Sequence, residues 1–262
     1  MIAPGRWADV VLVRDLENFK AEMVIAKGQV IAEKGKWKVN LPKFRYPSWA
    51  TKSVKLKRPL KAEDFKLVTH HTSPLKANVI GVIENQAPTR HLTFEVQPEN
   101  GEVKVDLGRD ITKIALVERH KGTGGITMGL VSGFGFTEKC AIASTVAHDS
   151  HHMIVVGTEE ESMAVAGNSL AGSGGGQVVV RNGKVIGKVE LKIGGLMSAE
   201  KADVVAKKAE TILEGFRSCG CRLNNPNMQL SLLALVVIPE LRISDKGLVD
   251  VTKFNFIPVL EG

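Results

Sequence analysis

The sequence predicts an α+β fold: mixed or antiparallel sheets with about three helices in the main domain, preceded by a small β segment. Three observations carry this expectation. Short alternating or wholly apolar runs bounded by turn residues recur along most of the chain, as strands do. Only a few stretches have the length and end signals of helices. A basic, proline-interrupted segment separates a short first part from a long second one. With 262 residues, 44% of them hydrophobic and 24% charged, the chain has enough apolar surface for a substantial core.

In chain order, Ala8 to Arg14 alternates, and Glu22 to Glu33 forms two runs separated by Lys27, Gly28 and Gln29, a hairpin pattern. This gives a small β segment over residues 1–35, too small to stand alone. Residues 36–66, with Pro42, Pro47 and Pro59, read as a basic linker, and residues 67–262 as the main domain. In that domain Ala77 to Glu84, Leu92 to Gln97, Val103 to Leu107 and Lys113 to Glu118 read as strands, the second and third joined through Pro98, Glu99, Asn100 and Gly101. Cys140 to Val146 and Met153 to Val156 are also extended. Thr158 followed by Glu161 has capping-box spacing and starts a helix over Glu159 to Leu170. Asn182-Gly183 turns a hairpin between Gln177 to Arg181 and Lys184 to Leu191. Ser198 is placed to cap a second helix, Ala199 to Ser218, which ends near Gly220. A third helix around Met228 to Val237 and a strand near Phe254 to Val259 complete the pattern.

Composition excludes several classes. The opening MIAPGRWADVVLVRD lacks the basic-then-apolar pattern of a secretory leader, and the longest apolar stretch, Leu230 to Ile238, is far short of the roughly 20 residues of a spanning helix. The expectation is a cytoplasmic protein with no membrane partner. Three cysteines, Cys140, Cys219 and Cys221, are too few for a disulfide framework and fit a reducing compartment. The net charge of +7 is local: residues 34–66 alone carry +9, leaving −2 for the remainder. That segment also holds Trp37, Tyr46 and Trp49, so it has the ingredients for stacking single-stranded nucleic acid. A solvated or docked linker is the simpler expectation, with no nucleic-acid partner.

The glycine-rich runs Gly122 to Thr127 and Gly172 to Gln177 both miss the GxGxxG spacing, and GxxxxGK[ST] is absent. Tight turns or close backbone approach are the expected use. The histidines say more. His148, Asp149, Ser150, His151 and His152 lie together between two apolar, strand-like runs, where titrating groups need partners or a ligand. An extended backbone would place His148, Ser150 and His152 on one face; a helix would bring His148 near His151 and His152, a spacing able to hold a metal. The flanking strands favour the extended form. A neutral imidazole beside Asp149 suits a polar ligand or proton transfer, while a self-capping turn is the structural alternative. Glu118-Arg119-His120 follows a strand and precedes a glycine loop, where ligands are often met. GxSxG, HxH, HExxH and the deaminase PCxxC are all missing.

Three segments then carry a family resemblance: Ile114 to His120 (IALVERH), Gly129 to Gly135 (GLVSGFG) and Ala143 to His151 (ASTVAHDSH). Gly174 to Gly176 ahead of Val178 to Gly183, Gly195 to Ser198, Val237 to Pro239 and Gly247 to Asp250 extend it. In order and spacing they resemble the C-terminal region of adenine deaminase, an amidohydrolase-superfamily enzyme. Ile2 to Val11 is similar to the return of an amidohydrolase chain into its composite β-domain after the barrel.

The resemblance implies a part in hydrolysing adenine to hypoxanthine and ammonia, where a metal-activated water, on manganese or iron, attacks the carbon bearing the amine. The family's metal ligands belong to a TIM-type barrel and begin with HxH, which is absent here, so no metal ligand is carried over and no cofactor is expected in this chain. The implied partners are adenine, the barrel in cis or in trans, and further copies in a homo-oligomer. In this reading His148, Asp149 and His151 face the active site or handle protons, and Glu118, His120, Ser150 and His152 meet the substrate. Two alternatives stay open: a stand-alone purine- or metal-binding module without catalysis, and a small metal hydrolase using the histidines themselves.

Overall fold

Lys27 and Gly28 both take positive φ, 49° and 78°, the backbone that a two-residue turn between twisted strands requires. They join β2 (Ala21–Ala26) to β3 (Gln29–Glu33), and with β1 (Val10–Val13) and β4 (Lys36–Trp37) these make a four-stranded antiparallel sheet in the order β1-β2-β3-β4. The computed structural model describes residues 1–42 and 44–262, and divides them into two units, Met1–Arg45 and Tyr46–Gly262. None of the described residues of the first unit is buried. Its sheet therefore has no core of its own.

The second unit begins with a one-turn helix, α1 (Ser48–Thr51), followed by β5 (Leu67–Val68), β6 (Leu75–Val82), β7 (Thr89–Val96), β8 (Glu102–Val103), β9 (Thr112–Val117), β10 (Ile126–Ser132), β11 (Cys140–Ser144) and β12 (Met153–Gly157). Then come α2 (Glu160–Ser173), β13 (Gly176–Arg181), β14 (Lys184–Glu190), α3 (Ala202–Ser218), α4 (Pro226–Leu232), β15 (Leu241–Ser244), β16 (Gly247–Asp250), β17 (Asn255–Ile257) and β18 (Leu260–Glu261). A nine-stranded sheet runs β14-β13-β11-β12-β9-β10-β6-β18, with β7 also paired to β6. All its ladders are antiparallel except β10 with β6. The fold is α+β with a mixed sheet, as expected, and no helix of the described residues is long and apolar enough to cross a membrane.

The central strands are apolar on both faces because both are covered. Ile114, Leu116, Ile142, Ile154, Val156 and Val179 point toward Ile212 and Phe216 of α3, Leu230 of α4, and Ile243 and Leu248 of the β15-β16-β17 sheet. The alternate residues, Ala115, Val117, Ala141, Ala143, Val155 and Val178, meet Met163, Ala166 and Leu170 of α2 together with Leu60 and Phe65. Each fully buried Ile, Leu or Val contributes about 1.5–3 kcal/mol. Small side chains on the second face let α2 sit close: a Cβ on Gly157 would lie 2.5 Å from Met163, and one on Gly167 would meet Leu60. Leu60 is also pinned by Asn168, which accepts from its N–H and donates to its carbonyl, each at 2.9 Å. The basic segment from Tyr46 onward is thus docked onto this unit.

Several local expectations are corrected. Thr158 does not cap α2, whose N-cap is Glu159. The Thr158 hydroxyl is taken by the sheet instead, accepting from Cys140 N–H at 2.8 Å and donating to the Glu138 carbonyl at 2.7 Å. Ser198 likewise serves a turn, accepting from Glu200 N–H at 3.1 Å, and α3 starts later than expected, at Ala202. The strand expected to reach Leu107 stops at Val103, because Asp106 caps a 3₁₀ turn over Leu107–Arg109. The last helix ends at Leu232, short of Val237, and the last extended stretch is two short strands, β17 and β18, that join different sheets.

Candidate functional site

Register brings four chain ends to one end of the large sheet. Ser144 ends β11 beside Gln177 and Ile154, and Met153 starts β12 opposite Val117, the last residue of β9. The loop Thr145–His152, the segment Glu118–His120 and the glycines before β13 therefore meet there. The loop must reverse the chain between antiparallel β11 and β12, so it cannot stay extended. It turns at His148–Ser150, His151 N–H donates to the Ala147 carbonyl at 2.7 Å, and His151 takes φ 52°. This corrects the expected face: His148 pairs with His151, their rings 5.4 Å apart and inclined at 63°. The His148–Asp149 peptide is cis.

Thr145 anchors the start of the loop. Its Oγ1 donates to the Gly195 carbonyl at 2.5 Å and accepts from Gly176 N–H at 2.8 Å. His148 N–H donates to the Ser231 carbonyl at 2.9 Å. Arg119 anchors the far end. It is 1% exposed, and its guanidinium donates to the carbonyls of His151 at 2.5 Å, Ser53 at 3.3 Å and Gly194 at 3.1 Å. Burial pulls its pKa down to about 10, so it stays charged at neutral pH. Gly195 has no room for a side chain, since a Cβ would lie 2.8 Å from that guanidinium.

Glu118 is committed to its own loop. Its carboxylate accepts from the N–H groups of His120 at 2.5 Å, Lys121 at 2.7 Å and Thr123 at 2.8 Å, and from the Thr123 hydroxyl at 3.0 Å. Burial pushes its pKa up, but these donors outweigh it and hold the group at about 2. A cavity of about 160 Å³ opens next to it, lined by Leu56, Leu60, Val117 and Ile126. The acid that lines it from the linker, Asp64, accepts from Arg58 Nη2 at 2.5 Å and Nη1 at 2.7 Å.

His120 is exposed, and its Nε2 donates to the Ser150 carbonyl at 2.7 Å. Its ring lies 4.8 Å from that of His152, which is 7% exposed. The site thus holds two histidine pairs, 148 with 151 and 120 with 152, while Asp149 and Ser150 face solvent. Burial lowers the pKa of both His151 and His152, aided by His148 on the first and His120 on the second. Their Nδ1 atoms are buried without a hydrogen-bond partner. Two residues bear on this site that the sequence did not single out: Arg119, visible only as a member of Glu118-Arg119-His120, and Asp245, whose Oδ2 lies 3.9 Å from His152 Nε2. Among the described residues no three His, Cys, Asp or Glu side chains are grouped to hold a metal ion. The residues present do not fit the metal of the resembled enzyme.

The model of the adenine deaminase C-terminal domain matches residues 86–255, which is well over half of the chain and includes the whole histidine loop. The chain belongs to the adenine deaminase C-terminal domain family. It is 51% identical over 259 residues to adenine deaminase 3 of Rhizobium meliloti (strain 1021), covering 99% of this chain and 44% of that protein. Adenine deaminase of Ruegeria sp. (strain TM1040) is 53% identical over 261 residues, with 99% and 43% covered. Adenine deaminase of Moorella thermoacetica is 42% identical over 262 residues, with 100% and 44% covered. The chain spans less than half the length of these relatives.

Proposed function

We propose that this chain is the C-terminal part of an adenine deaminase, which converts adenine and water to hypoxanthine and ammonia in purine salvage. The observation that carries this reading is the similarity of nearly the whole chain to 43–44% of proteins named adenine deaminase, with the histidine loop inside the matched region. The metal, manganese or iron by the family resemblance, is supplied by a barrel outside these 262 residues, in cis or in trans. The chain alone is inactive.

Within that enzyme the turn at His148–His152 closes or supports the active site. His148, Asp149 and His151 handle protons at its mouth, with His120, Ser150 and His152 lining it, and Glu118 contributes by holding the His120 loop in shape. Neutral imidazoles, favoured by burial at His151 and His152, suit a site that must give up and take protons near pH 7. Residues 1–35 are the end of a composite β-domain, 36–66 a linker and 67–262 the C-terminal domain. The absence of buried residues in the first sheet supports a second layer from elsewhere in the enzyme. The setting is cytoplasmic and the assembly a homo-oligomer.

The test is an adenine-to-hypoxanthine assay on the chain alone and with a co-expressed barrel. Turnover should need the barrel, and His148→Ala and Asp149→Asn should each lower it by about a hundredfold. Activity of the isolated chain, or full activity of both variants, overturns the reading.

A further inference from the structure

Asp245 reaches the histidine site from far along the chain. It stands at the tip of the β15–β16 hairpin, and Ser244 locks that tip: Lys246 N–H donates to Ser244 Oγ at 3.2 Å, and Oγ donates to the Gly247 carbonyl at 3.0 Å. The carboxylate then lies 3.9 Å from His152 Nε2. That is too long for a hydrogen bond but short enough for the charge to select a tautomer. A proton on Nε2 turns the positive end of an N–H dipole toward the carboxylate; a proton on Nδ1 would set the Nε2 lone pair against it. His152 is 7% exposed, which keeps water off the ring, while the Asp245 side chain is 44% exposed, so solvent screens the carboxylate only from its outer side.

The other groups acting on the ring are His120, Glu118 and Arg119. Each is engaged elsewhere: His120 Nε2 with the Ser150 carbonyl, Glu118 with its loop, Arg119 with three carbonyls. Asp245 is left to set the ring. At the far side of that ring Nδ1 is buried and unpartnered. A buried polar atom without a protein partner is costly, and a water or a ligand atom is needed to complete its bonding.

We infer that Asp245 is a positioning residue that fixes His152 as its Nε2–H tautomer, so that Nδ1 is presented as a hydrogen-bond acceptor to an incoming N–H donor. The donor class is an amine on a purine or ammonia released from it. The identity of the donor rests on the proposed deaminase function; the tautomer does not.

Two-bond ¹H–¹⁵N correlation spectra of the ¹⁵N-histidine-labelled 262-residue chain test this directly. His152 should show the Nε2–H pattern in the native chain, lose that preference in Asp245→Asn and keep it in Asp245→Glu, while the His120 pattern stays unchanged in both. An Nδ1–H pattern in the native chain overturns the positioning role without any variant, as does an unchanged His152 in a folded Asp245→Asn. Adenine and ammonium chloride are then titrated separately. A shift of His152 Nδ1 with adenine alone assigns the base amine, and a shift with ammonium alone assigns the released ammonia. No shift with either overturns the acceptor role. Loss of the deaminase reading, through an inactive chain-plus-barrel assembly, leaves the tautomer result standing and is separately recognisable.

Discussion

Arg119 donates from Nε to the carbonyl of His151 at 2.5 Å, so a residue at the end of β9 holds the backbone of a histidine at the start of β12. No carboxylate is involved: the guanidinium is spent on carbonyls of His151, Ser53 and Gly194 and on the Ser53 hydroxyl. The strand end, the docked linker and the loop after β14 are thereby tied to the candidate site through one side chain.

Arg119→Met keeps much of the volume and removes every donor. Three partly buried carbonyls lose their partner, which costs on the order of 2–4 kcal/mol in total after relaxation. Urea unfolding should show that loss, and the His151 amide should exchange faster with solvent than in the native chain. An unchanged midpoint would mean that the carbonyls find other donors.

Gly176 and Gly183 offer a controlled comparison. Both have positive φ, 137° and 71°, but a Cβ on Gly176 would collide with the Val189 carbonyl, whereas one on Gly183 would meet nothing within 4 Å. Gly183→Ala should cost about 1 kcal/mol, the price of left-handed backbone alone. Gly176→Ala adds a backbone clash inside a paired strand and should cost about 3 kcal/mol or more. Thermal melts of the two variants side by side check the ordering.

The turns were legible in the sequence because their physics is local. Lys27-Gly28 and Asn182-Gly183 need positive φ whatever surrounds them, and both hairpins stand where the residues place them. The Thr158 cap was not legible, because a hydroxyl that can cap a helix can equally bridge a sheet, and the partners that won, Cys140 and Glu138, come from another strand. The strand β10 hid behind Gly129, which weakens a strand by itself but here makes room for Ile114, 3.3 Å from where its Cβ would be. The histidine cluster was plain as a composition, yet its two ring pairs depend on the direction of a turn. Asp245 had no local signal at all: it matters only because a hairpin tip meets His152 in space.

Acid should weaken the fold in two stages. Burial holds His151 and His152 below the ordinary 6.5 of a free imidazole, so the unfolded chain takes up protons first and stability is lost as pH falls below 6.5. Glu118 is held at about 2 against an ordinary 4.5, so its contribution is complete above 4.5 and is lost as pH falls through about 2. Melting temperature followed from pH 8 to pH 3 should therefore hold steady down to about pH 6.5 and fall below it. His151→Asn combined with His152→Gln should flatten the upper limb, and Glu118→Gln the lower one. A curve rising toward acid would contradict both assignments.

Lys113 is the second residue of β9, fully buried, with its Nζ 2.5 Å from both Glu102 and Glu160. Glu160 opens α2 and Glu102 belongs to β8, so this ammonium joins the sheet to the helix on its Ala-rich face and to the short β5–β8 pair. Burial raises the pKa of Glu102, but Lys104 and Lys113 together bring it below its ordinary value. Lys113→Met would leave Glu102 to Lys104, 2.5 Å away, and strand Glu160 without its cation. Breaking a buried pair from one side costs about 3–5 kcal/mol, because the remaining charges keep their desolvation penalty. Glu160→Gln, which leaves Lys113 paired with Glu102, should cost clearly less. Without Lys113 the Glu102 carboxylate is held less far below its ordinary 4.5, so the deficit against the native chain should narrow as pH falls below about 4.5. Urea midpoints of both variants at pH 7 and pH 4 measure this; a deficit that stays constant with pH would show that Lys113 acts through packing alone.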